Sequence, residues 1–319
     1  MYLLYILIFI ASCAGLYISG KWLVESLARI ARILKWREFV VAFFIMAFAG
    51  SVPNLFLGIF SAFNKIPELS FGDIVGGNLI DLTVVVAIAA LVAKGLPADS
   101  RAIQTTSLFT MMIAVLPVLL IFDGCLSRTD GIILIAAFFI YVVWLFSKKE
   151  RFSKVYEESE SKPIIKEFKY LATDFGKAIL GLIILLVAAI GIVESAKFFA
   201  EGLNMNLALV GILIVAFGNA IPEAYFAIAS ARKGQTWMIL GDLMGAIIVP
   251  ASLVLGIVAV ICPIRITDSS PFVIGRIFLI LSALFFFFFV KTDRKITKKE
   301  AIFLLIIYAL FVTAELLAK

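Results

Sequence analysis

Eight polar residues fall inside apolar stretches, where such a side chain is costly unless it has a partner or a task. Ser51 and Asn54 flank Pro53, and Asp73, Asn78 and Asp81 follow in the next apolar run. Asn219 and Glu223 flank Pro222, and Asp242 precedes Pro250 by one helical stretch. All eight offer oxygen, the donor that hard cations take; calcium gathers about six to eight oxygens from carboxylates, amides, carbonyls and water, and sodium accepts similar groups with less charge. A proline within a helix removes a backbone donor and strains the preceding turn, which can leave carbonyl oxygens free to face an ion. Glu223 directly follows Pro222, near the centre of its run, and is the first candidate ligand. If Glu223 and Asp81 converge, they offer a divalent ion two negative charges. Without a counter-charge they repel, so the pair can take calcium, sodium or a proton.

Each of these residues also has a purely structural reading. Asp73 and Asp242 lie about two turns, roughly 12 Å, before positions 81 and 250, and could hydrogen-bond broken helix ends instead of an ion. Asn54, Asn78, Ser51 and Asn219 could equally be interhelical glue, and Gly58, Gly76, Gly77 and Gly245 fit close helix packing better than ion contact. Glu25 and Glu194 read as paired residues near helix ends. Cys13, Cys125 and Cys262 stand alone without metal-type spacing and read as packing residues. The chain has no histidine, which excludes a typical histidine-rich transition-metal site and leaves proton chemistry to carboxylates. It has neither an ATP-binding loop nor a hydrolytic triad, so no enzyme activity and no resident cofactor are expected.

The elements that must position these residues are membrane helices. Of 319 residues 63% are hydrophobic and 16% charged, more apolar surface than a soluble core can hide. Spanning a bilayer takes about 20 helical residues, and such runs occur near 2–20, 38–63, 70–93, 102–122, 130–147, 176–200, 205–231, 236–262, 272–290 and 300–318. Their residues do not alternate as a barrel's would. The first run lacks a basic residue before it and a small-residue cleavage site after it, and reads as a retained helix. Phe285 to Phe289 reads as lipid-facing bulk. The net charge of +6 does not point to nucleic acid, because its placement follows the membrane. With the N-terminus outside, inner loops hold Arg29, Arg32, Lys35 and Arg37, then Lys94 and Arg101, the run from Lys148 to Lys177, Arg232 and Lys233, and the group from Lys291 to Lys299. The outer side receives only scattered Lys65, Arg128, Lys197, Arg265 and Lys319, as the positive-inside rule requires. A multi-pass protein of the cell membrane follows, with lipid and small cations as partners and the oligomeric state open.

An internal repeat organises the runs. Val24-Glu25-Ser26 returns 169 residues later as Val193-Glu194-Ser195, and the same spacing pairs Pro53 with Pro222, Ser61-Ala62 with Ser230-Ala231, Gly72-Asp73 with Gly241-Asp242, and Gly76 with Gly245. Five spans per half is an odd number, so the second half enters the membrane from the opposite side. The expectation is an all-α polytopic protein of about ten transmembrane helices in two inverted five-helix repeats, residues 1–147 and 176–319. A charged cytoplasmic linker or surface helix joins them over 148–175, too short for a regulatory domain of ordinary size. Inverted repeats are a signature of secondary transporters, whose sites lie near the midplane where broken helices meet.

The motifs at these positions resemble the alpha-repeats of the calcium/cation antiporters, a family that includes the sodium/calcium exchangers. Each family repeat resembles Gly-Thr-Ser-Leu-Pro-Glu-Leu followed by Gly-Asn-x-x-Gly-Ser-Asn-Ile-x-Asn. This chain reads Ala49-Gly50-Ser51-Val52-Pro53-Asn54-Leu55 with Gly72-Asp73-Ile74-Val75-Gly76-Gly77-Asn78-Leu79-Ile80-Asp81, then Gly218-Asn219-Ala220-Ile221-Pro222-Glu223-Ala224 with Gly241-Asp242-Leu243-Met244-Gly245-Ala246-Ile247-Ile248-Val249-Pro250. The resemblance implies alternating-access exchange of calcium for sodium or protons. The departures redistribute the charge. Asn54 replaces a family glutamate, and Ala220, Ala246, Ile247 and Pro250 replace hydroxyls, an amide and an acid, while Asp81, Asp73 and Asp242 stand where the family has asparagine. A proton-coupled or different-cation exchanger, or a transport-inactive membrane sensor or partner subunit, therefore stands beside the calcium/sodium expectation.

Overall fold

In lipid, every backbone N–H and C=O must be satisfied within the protein, so an apolar chain of this length folds as helices. The computed structural model describes residues 1–33, 51–99, 101–147, 164–232, 234, 236–266, 270–292 and 294–317. Among them are nine helical stretches long and apolar enough to cross a membrane, together with the shorter apolar helix Val52–Phe63. The earlier part of the expected 38–63 span lies outside the described residues, as does 148–163 of the expected linker. The rest of that linker, from Ile164, is already helical and continuous with the next span.

The first repeat runs through α1 (Tyr2–Ile33), α2 (Val52–Phe63), α3 (Pro67–Ile80), α4 (Val86–Val92), strand β1 (Leu96–Pro97), α5 (Arg101–Leu120), strand β2 (Cys125–Leu126) and α6 (Arg128–Ser147). The second holds α7 (Ile164–Leu203), α8 (Leu207–Val210), α9 (Ala216–Asn219), α10 (Ile221–Arg232), α11 (Thr236–Val249), α12 (Leu255–Ile261), β3 (Ile264–Arg265), α13 (Ser270–Thr292), β4 (Lys295–Ile296) and α14 (Lys298–Leu317).

The repeat is written into the element bounds. Helices α2, α3 and α4 recur as α10, α11 and α12 at a spacing of 169 at both ends. Between α3 and α4 the chain takes a π-helical turn at Asp81–Val85, and between α11 and α12 the matching turn is Pro250–Val254. A π turn widens the ladder and tends to sit at functional places; here it also accommodates Pro250, which has no N–H to give. Hydroxyls at equivalent positions brace both turns, Thr83 donating to the carbonyl of Leu79 and Ser252 to that of Ile248.

The two halves interlock at both ends by exchanging strands. β1 pairs with β4, placing Leu96 opposite Ile296, and β2 pairs with β3, placing Leu126 opposite Ile264. All four side chains are fully buried. Reciprocal capping boxes start the last helix of each half: Ser127 with Asp130 before α6, and Thr297 with Glu300 before α14.

Burial shows what lies at the centre. Pro67–Val92 and Ile239–Ile261, the two helices interrupted by π turns, are 78% buried, against 28% for Arg128–Leu145 and Lys298–Leu317 at the periphery. Helix α3 meets the α8–α9 stretch backbone to backbone. A Cβ on Gly72 would collide with the carbonyl oxygen of Ala208, and one on Gly76 with that of Ile212. Helices α1 and α7 pack as a pair on one side, with Tyr5 stacked on Phe198 at 4.0 Å and Gly15 facing Ala188. The phenylalanine run in α13 is not lipid-facing throughout: Phe286 is fully buried in the main core, because a helix turns each successive side chain by about 100° and only part of a run can face lipid.

Candidate functional site

Small cavities between helices of opposite repeats are where an inverted-repeat protein can hold a solute. One of about 20 Å³ lies between α3, its π turn, α2 and the break between α9 and α10. That volume admits about one water-sized sphere, which suits an inorganic ion and excludes an organic solute.

Six of the eight candidate residues line this cavity: Asn54, Asp73, Asn78, Asp81, Asn219 and Glu223. Three come from α3 and its π turn, where positions 73, 77 and 81 recur one turn apart and 74 and 78 stand beside them, so Asp73, Asn78 and Asp81 present oxygen along a single helix face. Asn219 and Glu223 come from the other repeat. The turn at Ala220 and Pro222 in the first turn of α10 break the helix between them, and both side chains reach the opening from opposite sides of that break. Asn54, the repeat partner of Glu223, joins from the first turn of α2.

The other two candidates lie apart. Ser51 is buried at the start of α2 and does not line the cavity. Asp242 does not line it either, although it stands close enough for its charge to act on Asp81 and Glu223. It lies one turn before Ala246, which does form part of the wall.

One strong bond crosses the repeats here. The side-chain amide of Asn219 donates to Asp73 Oδ1 at 2.8 Å. Asp73 is 2% exposed, and its other oxygen has no partner among the described residues; the same holds for Asp81 Oδ1 and Glu223 Oε2, all three atoms being shielded from solvent. Buried carboxylate oxygens that no described basic side chain meets favour whatever positive charge enters the space between them. Among the described residues no three acidic or sulfur side chains cluster tightly enough to hold a metal by themselves. A cation seated between Asp81 and Glu223 would therefore draw its further oxygens from Asn54, Asn78 and backbone carbonyls at the helix break.

The remaining wall is made by Ile74, Gly77, Ala220 and Ala246. Gly77 was read as a packing residue, yet a Cβ there would meet nothing within 4 Å; its absent side chain gives the cavity its room. The one-face spacing 73, 74, 77, 78 and 81 is a signal that could have marked Gly77 from sequence. Glu194 sits well inside α7, not near its end, and pairs with Lys197 at 2.8 Å on the surface; the side chain of its repeat partner Glu25 lies outside the described set.

Comparison with known proteins bears on the family and the fold. The family described as sodium/calcium exchanger protein matches residues 4–147 and 174–317, one block per half. An uncharacterized membrane protein of Methanocaldococcus jannaschii is 26% identical over 231 residues, covering 72% of this chain and 73% of its own length. The sodium/calcium exchanger MaX1 of Methanosarcina acetivorans is 23% identical over 327 residues, covering 92% of this chain and 93% of its own. In structure, the sodium-calcium exchanger NCX_Mj, soaked with sodium and strontium, superposes with a TM-score of 0.66 at 24% identity, covering 98% of this chain and 99% of that one. The likeness to NCX_Mj is one of fold. With both halves matched and the two repeats facing each other across the cavity, the chain belongs to the sodium/calcium exchanger protein family.

Proposed function

We propose that the protein is a secondary active antiporter that exchanges calcium for sodium by alternating access, binding either ion between Glu223 and Asp81. The observation that carries this reading is the shared cavity: two carboxylates from opposite repeats, amide oxygens from Asn54 and Asn78, and room for one small ion. A divalent ion there is matched by two acids, and Asp73 and Asp242 add to the negative field. A sodium ion, with one charge, can take the same oxygens in place of calcium. The name of the archaeal relative MaX1 supports the choice of ions.

Binding at the junction of the repeats also supplies the transport step. Glu223 and Asn219 belong to the second repeat and Asp81 and Asp73 to the first, so a motion of one repeat against the other alters the ligand set and the side from which it is reached. A filled cavity neutralises the acids and permits that motion, whereas an empty one leaves uncompensated charge in a medium of low dielectric. This is the physical basis of obligatory exchange.

The test is flux in reconstituted vesicles. Calcium uptake is expected under an opposing sodium gradient and is expected to vanish in Glu223→Gln. Uptake driven only by a pH gradient would assign proton coupling, for which the unpaired carboxylate oxygens provide a site. Absence of flux for any cation under either gradient would overturn transport and leave a sensor or partner subunit.

A further inference from the structure

Outside the cation cavity, one acid among the described residues is buried with neither carboxylate oxygen hydrogen-bonded. Glu315 lies in the last turn of α14, is 2% exposed, and has both carboxylate oxygens shielded and, among the described residues, without a hydrogen-bond partner. By the charge distribution of the loops it belongs to the outer part of the protein, since α14 runs from the basic Lys298 and Lys299 at the inner side outward. Its surroundings are apolar. A Cβ on Gly275 of α13 would lie 4.0 Å from Glu315 Oε1, 3.6 Å from Ile212 and 3.8 Å from Val75, so the acid occupies a niche walled by α13, α3 and the π turn after α8.

Among the described residues, charged groups on the neighbouring elements do not answer it. On α13, Arg276 donates from one guanidinium nitrogen to the carbonyl of Ile121 at 3.0 Å, and its buried Nε makes no bond to Glu315. On α3 the nearest acid in sequence to Val75 is Asp73, bonded to Asn219 at the central cavity. The π turn beside α4 carries Asp81, which also lines that cavity, and the stretch from Leu207 to Asn219 has no charged residue. Among the described residues of α14 itself, Lys298, Lys299 and Glu300 lie at the opposite end and Tyr308 two turns away, while Lys319, four residues on in sequence, lies outside the described residues. The nearest donor, the backbone N–H of Gly275, stands outside hydrogen-bond geometry.

Packing does not demand an acid here. The repeat partner of α14 is α6, at a spacing of 170, and the residue equivalent to Glu315 is Leu145, itself 6% exposed. The second repeat has a buried acid where its twin has a leucine, at a cost that an acid within a membrane span seldom carries without a task. A metal ion would need about six oxygens, and the niche offers only the two of Glu315. The one cation that needs a single oxygen is the proton.

We propose that Glu315 is a proton-binding site separate from the cation cavity, loaded from the outer solution, whose proton keeps α14 seated against α3 and α13. Loading forms one O–H bond as a hydronium ion gives up its proton to the carboxylate and leaves as water. Unloading leaves an uncompensated charge in an apolar niche and loosens the outer end of α14, beside the helices that carry Asp73 and Asn219.

The readout is infrared spectroscopy of the full-length protein in lipid, combined with thermal unfolding across pH. The wild type is expected to show a protonated-carboxyl stretch that disappears as pH is raised, persists in Glu223→Gln and Asp81→Asn, is absent in Glu315→Gln, and does not respond to calcium. Its unfolding midpoint should fall as pH rises, and that dependence should be reduced in Glu315→Gln and in Glu315→Leu, which installs the residue of the twin position. Identical infrared spectra for wild type and Glu315→Gln at every pH would overturn the proposal. So would a Glu315-dependent band that calcium displaces, since the residue would then belong to the cation site. Neither readout requires transport, so failure of this proposal is distinguishable from failure of the antiport reading.

Discussion

The side-chain amide of Asn219 donates to Asp73 Oδ1 at 2.8 Å, joining the second repeat to the first at the edge of the cavity. The repeat has no matching bond. The residue equivalent to Asp73 is Asp242, but the one equivalent to Asn219 is Gly50, which has no side chain to donate. Two aspartates at symmetry-related positions thus have unlike surroundings: one is pinned across the interface, and the other stands back from the cavity without such a donor.

Asn219→Ala leaves Asp73 buried with neither oxygen paired, a loss expected to cost about 1–3 kcal/mol. The thermal midpoint of the purified protein should drop, and Asp242→Asn should lower it less. Equal effects of the two substitutions would show that the Asn219 bond does not distinguish the repeats.

Charge relocation can be tested directly. If Asp81 stands in for the acid missing at Asn54, the double variant Asn54→Glu, Asp81→Asn keeps two carboxylates at the cavity and should retain calcium flux. Asp81→Asn alone should reduce it by at least about tenfold, equivalent to about 1.4 kcal/mol. A double variant no better than the single one would show that position 81, and not the number of acids, is what matters.

Neighbouring glycines should respond in opposite ways. Gly76→Ala drives a methyl against the Ile212 carbonyl and should prevent α3 from docking, with little folded protein recovered. Gly77→Ala meets nothing within 4 Å, so it should fold normally while reducing the room for an ion. Size-exclusion profiles and calcium binding to each variant separate the two effects.

The turn after α2 holds Lys65 at φ 60°, and its repeat equivalent is Gly234 at φ 73°. A left-handed conformation costs a residue with a Cβ about 1–2 kcal/mol, partly offset by the greater unfolded-state freedom of glycine. Lys65→Gly should therefore leave the unfolding midpoint unchanged or raise it, and a clear fall would show that the lysine side chain contributes something beyond its bond geometry.

Much of the architecture was legible from residue order because membranes impose simple rules. Span length follows bilayer thickness, and an odd number of spans per repeat forces inversion. The 169 spacing found between Pro53 and Pro222 reappears in the bounds of three helix pairs and in the two π turns. The phenylalanine run was misread because composition does not say which face of a helix is buried, and Phe286 turned out to be core.

The sequence by itself determined that oxygen-bearing residues sit inside apolar helices of two inverted halves, since those properties depend on residue type and spacing alone. Which oxygens meet was decided by the tertiary structure, through backbone approaches as close as those at Gly72 and Gly76 and the helix break after Asn219. These bring Asp73, Asp81 and Glu223 to one small cavity while leaving Ser51 and Asp242 outside it. Distances between helices depend on packing of both repeats at once, and no linear pattern encodes them. The same applies to Glu315, an unremarkable acid near the chain's end until α3 and α13 close around it.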